Sequence, residues 1–84
     1  MFGSNRRAEE FAKLDIIDRL YVLQRAILED ALAPTHNNGY MVEPWASDKA
    51  LAEEMLKEAN RMKSDRFLSI YGGRLSDLER TYNT

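Results

Sequence analysis

An unusually wide apolar face on the first half of the chain is the sequence feature that most restricts its fold. At about 100° per residue, ten apolar residues between positions 14 and 32 fall on one side of a helix. They are Leu14, Ile16, Ile17, Leu20, Tyr21, Leu23, Ile27, Leu28, Ala31 and Leu32. The face spans close to half of the helix circumference, whereas a helix with one neighbour typically shows a stripe of about 100°. The pattern predicts a helix over residues 4–33 that needs more than one neighbour to cover it.

A second amphipathic helix is predicted over residues 47–71. Ser47 can cap its first free amide groups, and a negative charge at Asp48 is favourable in the first turn. We expect Gly72-Gly73 to end this helix, because glycine readily adopts the left-handed conformation of a C-terminal cap. Ser64-Asp65 could restart a helix, so a break before residue 71 is an open alternative.

The connector over residues 34–46 is predicted to be a long, turn-rich loop. Pro34 bars the first helix from continuing, and Asn37-Asn38-Gly39 suits a chain reversal. The residue before Pro44 is disfavoured in a helix, so residues 40–43 are expected to be extended. Residues 74–82 are predicted to form a short third helix, because Ser76-Asp77-Leu78-Glu79 matches a capping box.

These elements predict one all-α domain over residues 1–84: an antiparallel hairpin of two long helices, a long connector and a short C-terminal helix. A chain of 84 residues lies near the lower limit for a single hydrophobic core. Small domains gain stability from disulfides, metals or self-association. With no cysteine and one histidine, the first two are disfavoured, so we expect a helical-bundle homodimer.

The first helix carries the predicted self-association surface. Its members are Leu14, Ile17, Tyr21, Gln24 and Leu28. Tyr21 and Gln24 place polar groups in an otherwise apolar face, which is more typical of an interface than of a core. The alternative is that the whole face is ordinary core around the other helices.

A partner-binding surface is predicted in and just after the connector, at Tyr40, Met41, Val42 and Trp45. Aromatic and methionine side chains are frequent at binding hot spots, and neighbouring prolines lower the ordering cost on binding. The alternative is that Trp45 and Tyr40 fold back and cover the end of the hairpin, because a small domain rarely leaves its only tryptophan in water.

Charge gives weak support for nucleic-acid binding. The net charge is −2, and acidic and basic residues alternate along both long helices. The nearest approach to a basic patch consists of Arg61, Lys63, Arg66 and Arg74. Such a cluster can contact phosphates, but basic residues late in a helix also complement its dipole.

Catalytic and cofactor-binding motifs are absent from the sequence. His36 stands alone in the connector, and the paired acids Asp15 and Asp18 lie on the charged side of the first helix. No glycine-rich phosphate loop, signal peptide or membrane-length apolar run is present. The sequence therefore predicts a cytoplasmic, non-enzymatic protein without metal or cofactor.

The leading interpretation is a protein that acts by stoichiometric binding to a protein partner of unknown identity. In size, helicity and lack of cysteine the chain is similar, in a general way, to small accessory proteins of phages and mobile elements. Such proteins often act as inhibitors that block a host enzyme; no motif carries the likeness, so it assigns no residue roles. A small nucleic-acid-binding protein and a structural subunit of a larger assembly remain the alternatives.

Overall fold

The structure, a computed structural model, contains three helices. It describes the backbone of residues 2–32 and 42–84, and the side chains of residues 6–30 and 46–84. Helix α1 spans Phe2–Leu32, α2 spans Val42–Arg61 and α3 spans Ser64–Thr81. No strand occurs in the described ranges, so the predicted all-α hairpin with a third helix is confirmed.

The core forms where one stripe of α1 packs on α2. Ile16, Leu20, Leu23 and Ile27 follow one another at helical spacing and are almost fully buried. We call these four residues the core stripe. Opposite them α2 presents Met55 between two buried alanines, and small side chains of this kind let the two helix axes approach closely.

Helix α3 returns along the hairpin formed by α1 and α2. Its first residue, Ser64, contacts Glu9 near the start of α1, while Tyr82, just beyond its end, contacts Asp48 near the start of α2. Between these points it contributes three residues to the core. They are Phe67, Leu75 and Leu78. The molecule is consequently a rod of 55 × 17 × 17 Å.

The predicted second helix is divided in the structure. Helix α2 ends at Arg61, and α3 begins at Ser64, so the helix predicted over residues 47–71 does not exist as one element. The alternative of a helix restart at Ser64-Asp65 is the arrangement that the structure has. Breaking at Met62–Lys63 returns Phe67 to the core, where it is fully buried.

The prediction that Gly72-Gly73 end a helix is wrong. Both glycines lie inside α3, which replaces the predicted short helix over residues 74–82 with one of 18 residues. Each interior glycine costs about 1 kcal/mol relative to alanine. Burial of Phe67 before the glycines and of Leu75 after them offsets that cost and keeps the helix continuous.

Helix α2 also starts earlier than predicted. Residues 42–46 are helical rather than part of the connector. Pro44 lies in the first turn, where a backbone N–H has no intrahelical acceptor and no preceding turn clashes with the ring. The extended conformation expected at Val42 and Glu43 is therefore wrong, whereas residues 33–41 lie outside the described ranges.

The continuity of α3 can be tested at Gly73. A Cβ atom built there meets no atom within 4 Å, so Gly73→Ala should raise the free energy of unfolding by about 1 kcal/mol, measured by urea denaturation. Gly73→Pro is the contrasting variant, because it removes a helical hydrogen bond and should destabilise by about 3 kcal/mol. A destabilising Gly73→Ala would contradict a continuous α3.

Candidate protein-binding face on α1

A second stripe of α1 stays largely exposed beside the other described helices. It consists of Leu14, Ile17, Tyr21, Gln24 and Leu28, and we call it the outer stripe. Leu14, Tyr21 and Leu28 are 61%, 58% and 51% exposed, while Ile17 and Gln24 are half-buried. The 3-4-3-4 spacing is that of the a and d positions of a coiled coil, whose function is to meet another helix.

The position of the outer stripe explains its exposure. It lies about 110° around α1 from the core stripe, at about 100° per residue. Because α1 packs on α2 along one line of its surface, the core stripe and the outer stripe cannot both face α2. The expectation that α1 carries more apolar surface than this chain covers therefore agrees with the exposure of Leu14, Tyr21 and Leu28.

A shallow groove runs along the outer stripe toward α2. It has a volume of about 310 Å³. On the α1 side it is lined by Tyr21, Gln24, Arg25 and Leu28, and on the α2 side by Lys49 and Glu53. An apolar strip bordered by both signs of charge has the anatomy of a protein interface, which combines an apolar centre with a polar rim.

A two-point hydrogen bond holds α3 on the opposite side of α1. The Arg19 guanidinium donates to both carboxylate oxygens of Glu79, at 2.9 and 2.7 Å. This hydrogen bonding to Glu79 raises the pKa of Arg19. Arg19 lies about 180° around α1 from the outer stripe, so α3 is fixed where it cannot cover that stripe.

Glu9 provides the cap at the start of α3. One of its carboxylate oxygens accepts hydrogen bonds from the backbone N–H and the hydroxyl of Ser64, both at 3.0 Å. Lys63, at the N-cap position, makes no side-chain capping bond. A carboxylate from another helix therefore satisfies a free amide and complements the helix dipole.

Tyr82 fixes the other end of α3. Its hydroxyl donates to the Asp48 carboxylate at 2.6 Å. Burial raises the pKa of Tyr82 well above its usual value, and the hydrogen bond to Asp48 and the nearby charge of Asp30 act in the same direction. Contacts at both ends and at Glu79 thus hold α3 over one side of the hairpin.

The residues predicted to bind a partner fall mostly beyond the described side chains. Tyr40 and Met41 lie outside the described residues. Val42 and Trp45 belong to the first turn of α2, where only the backbone is described. Their predicted role remains a prediction.

The basic residues predicted to contact nucleic acid do not form one uniform patch. Arg61, Lys63 and Arg66 lie around the α2–α3 junction, whereas Arg74 is two turns further along α3. Arg61 pairs with Glu58 at 3.0 Å, and Glu9 lies at the same junction. Acidic groups therefore interrupt the basic surface.

Sequence reasoning missed part of the exposed apolar surface and both α2 residues of the groove. Phe11 is 68% exposed, and Val22 and Ile70 are about half exposed. Phe11 and Val22 fall among the charged residues of α1, so helical periodicity alone could have placed them outside the core. Lys49 and Glu53 carry no sequence signal, because they become part of the groove only through the packing of α2.

The described residues contain neither a metal-binding cluster nor a membrane-spanning helix. No group of three or more histidine, cysteine or acidic side chains there could hold a metal ion. No helix within those ranges is long and apolar enough to cross a membrane.

No family model, curated protein or solved structure is similar to this chain.

The Arg19–Glu79 pair should contribute measurably to folding. Because it is half-buried and makes two parallel hydrogen bonds, Glu79→Gln should lower the free energy of unfolding by about 1–2 kcal/mol. Glu29→Gln is the matched control, since Glu29 pairs with Arg25 at 3.2 Å on the open surface and should change stability by less than about 0.5 kcal/mol. Equal effects in urea denaturation would show that α3 is not held by this pair.

Alkaline pH should weaken the Tyr82 contact. The unfolded tyrosine ionises near pH 10, whereas the folded one keeps its proton to higher pH, so its contribution is complete below pH 10 and falls above it. Tyr82→Phe should lower the free energy of unfolding by about 1 kcal/mol at neutral pH. The difference in this free energy between the variant and the natural chain should shrink above pH 10.

Tyr71→Phe is the control for this pH series. The Tyr71 ring packs on Phe67 with centroids 5.1 Å apart, and its hydroxyl has no hydrogen bond in the part of the chain that the structure describes. Denaturation curves recorded between pH 7 and 11 then show how loss of a tyrosine hydroxyl without that hydrogen bond changes the free energy of unfolding. A deficit of Tyr82→Phe that grows with pH would contradict the assigned contact.

Proposed function

We propose that this chain is a non-enzymatic helical protein that acts by stoichiometric binding to another protein through the outer stripe of α1 and its groove. The observation that carries the proposal is the exposure of Leu14, Tyr21 and Leu28 in one row at coiled-coil spacing. Contiguous exposed apolar surface with a polar rim is typical of protein interaction sites.

The contacts of α3 are evidence that the outer stripe is exposed in the folded domain. Glu79, Ser64 and Tyr82 each bind a partner on another helix, so α3 has a defined place on the far side of α1. The outer stripe is thus a feature of a packed domain. A rigid helix face loses little conformational entropy on binding, which favours affinity.

The nucleic-acid alternative receives less support from the same structure. Phosphate binding depends on uninterrupted positive charge, and acidic side chains stand among the basic ones at the α2–α3 junction. A role as inhibitor of a host enzyme, and a cytoplasmic location, remain part of the proposal without a structural feature that selects them.

Site-specific photo-crosslinking tests the proposed face. A benzophenone amino acid at Tyr21, in the groove, should yield a discrete protein adduct in a lysate of the source cells. The same group at Ile70 is the control, because Ile70 is 52% exposed but lies on α3. The adduct at Tyr21 should disappear when Leu14 and Leu28 are both changed to Gln.

Two results would count against the proposal. One is equal labelling from Tyr21 and Ile70, which would show non-specific contact. The other is an adduct whose yield falls steeply between low and moderate salt and is removed by nuclease, which would identify nucleic acid as the partner.

A further inference from the structure

The outer stripe is centred on Tyr21. Leu14 and Leu28 lie seven residues to either side of it, and Ile17 and Gln24 occupy the positions between. A two-fold interface uses the same patch on both copies, so each residue must meet a complementary residue of that patch. When two copies pack antiparallel about Tyr21, Leu14 of one copy lies opposite Leu28 of the other. Leucine therefore meets leucine at both ends of the stripe.

Charge is distributed unevenly along the rod. We call the end where Ser64 meets Glu9 the junction end, and the end where Tyr82 meets Asp48 the Tyr82 end. Near the junction end, seven basic side chains (Arg6, Arg7, Lys13, Lys57, Arg61, Lys63, Arg66) outnumber five acidic ones (Glu9, Glu10, Asp15, Glu58, Asp65). Near the Tyr82 end, eight acidic side chains (Asp18, Glu29, Asp30, Asp48, Glu53, Glu54, Asp77, Glu79) outnumber five basic ones (Arg19, Arg25, Lys49, Arg74, Arg80).

This asymmetry distinguishes two ways of pairing the rods. Two parallel copies place basic ends together and acidic ends together, which is repulsive over a Debye length of about 8 Å at physiological salt. Two antiparallel copies place the junction end of each beside the Tyr82 end of the other. Complementary potentials of this kind select orientation and suppress wrong pairings.

Individual charges beside the stripe agree with the antiparallel arrangement. Asp18 and Arg25 lie on the same flank of α1, on either side of Tyr21. In an antiparallel pair with its two-fold axis near Tyr21, each Asp18 lies next to Arg25 of the second copy. Within one copy, Arg25 pairs with Glu29 on the exposed surface, and exposed ion pairs add little to stability. Exchanging Glu29 for Asp18 of the second copy therefore costs little free energy.

The size of the face is adequate for a stable dimer. The rod measures 55 × 17 Å along each long side, and α3 occupies only one of these sides. Stable interfaces bury about 800 Å² per partner, which is comparable to one such side. One long side of the rod therefore has the dimensions needed to pack against one more copy of this chain.

We propose that the occupant of the outer stripe is a second copy of this chain, packed antiparallel about a two-fold axis near Tyr21. The inference rests on the proposed function, because it names the partner of the same face. It adds an orientation, an axis position and an intermolecular ion pair, Asp18 with Arg25 of the second copy.

Sedimentation equilibrium of the purified chain tests self-association by this face. Tens of micromolar protein should give twice the 9.7 kDa mass of the chain. Leu28→Gln should weaken the dimer about tenfold or more, as expected for a large apolar side chain buried in an interface. Ile70→Gln is the matched control, because the two side chains have equal exposure of 51% and 52% and similar size. Circular dichroism melts should confirm that both variants fold.

Disulfide trapping tests the orientation, and the lack of native cysteine makes it unambiguous. In the antiparallel dimer the two copies of residue 14 are separated by about 20 Å, at 1.5 Å per residue, which is far beyond disulfide range. Leu14→Cys alone and Leu28→Cys alone should therefore stay unlinked. An equal mixture of the two variants should give a covalent dimer under mild oxidation. Self-linking of either variant alone would overturn the inference in favour of a parallel pair.

The outcomes separate this inference from the proposed function. A 9.7 kDa monomer that still crosslinks to a different protein through Tyr21 overturns the second-copy inference and leaves the proposed function intact. A monomer without any adduct at Tyr21 overturns both. A dimer that Ile70→Gln dissociates and Leu28→Gln does not would place self-association on another face, which also overturns the inference.

Discussion

The structure depends on the fact that α1 can rest on α2 along only one line of its surface. Ile16, Leu20, Leu23 and Ile27 occupy that line and are buried, so the row about 110° away meets α2 only along the groove edge formed by Lys49 and Glu53. Among the helices that the structure describes, only α3 could have covered the rest of it. Instead the Arg19–Glu79 hydrogen bonds hold α3 on the far side of α1. The exposed outer stripe is thus a direct result of where the third helix docks.

The features that could be predicted from the sequence are those with local causes. The first helix follows from apolar periodicity, and the membership of the outer stripe follows from the same angles, because Tyr21 and Gln24 interrupt an apolar face. The predicted set Leu14, Ile17, Tyr21, Gln24 and Leu28 forms one continuous row in the structure, with three of its members exposed.

The errors arose where tertiary contacts override local preference. The Gly72-Gly73 pair resembles a helix end, yet burial of residues on both sides keeps α3 intact. The break before Ser64 stayed an open alternative at the sequence level, because its cap comes from Glu9, which is 55 residues away, and the docking of α3 depends on a pair 60 residues apart. No local pattern encodes partners at such separations. The groove residues Lys49 and Glu53 were missed for the same reason.

In the proposed dimer, the outer stripe is covered by another copy of this helix. The most direct measurement is an isotope-filtered nuclear Overhauser experiment on a mixture of labelled and unlabelled protein. We expect intermolecular contacts between the methyl groups of Leu14 and Leu28, and between the two Tyr21 rings. Intermolecular contacts that occur only on other surfaces would contradict this arrangement. So would a sample that shows no intermolecular contacts and whose outer-stripe methyl groups are accessible to a soluble paramagnetic probe.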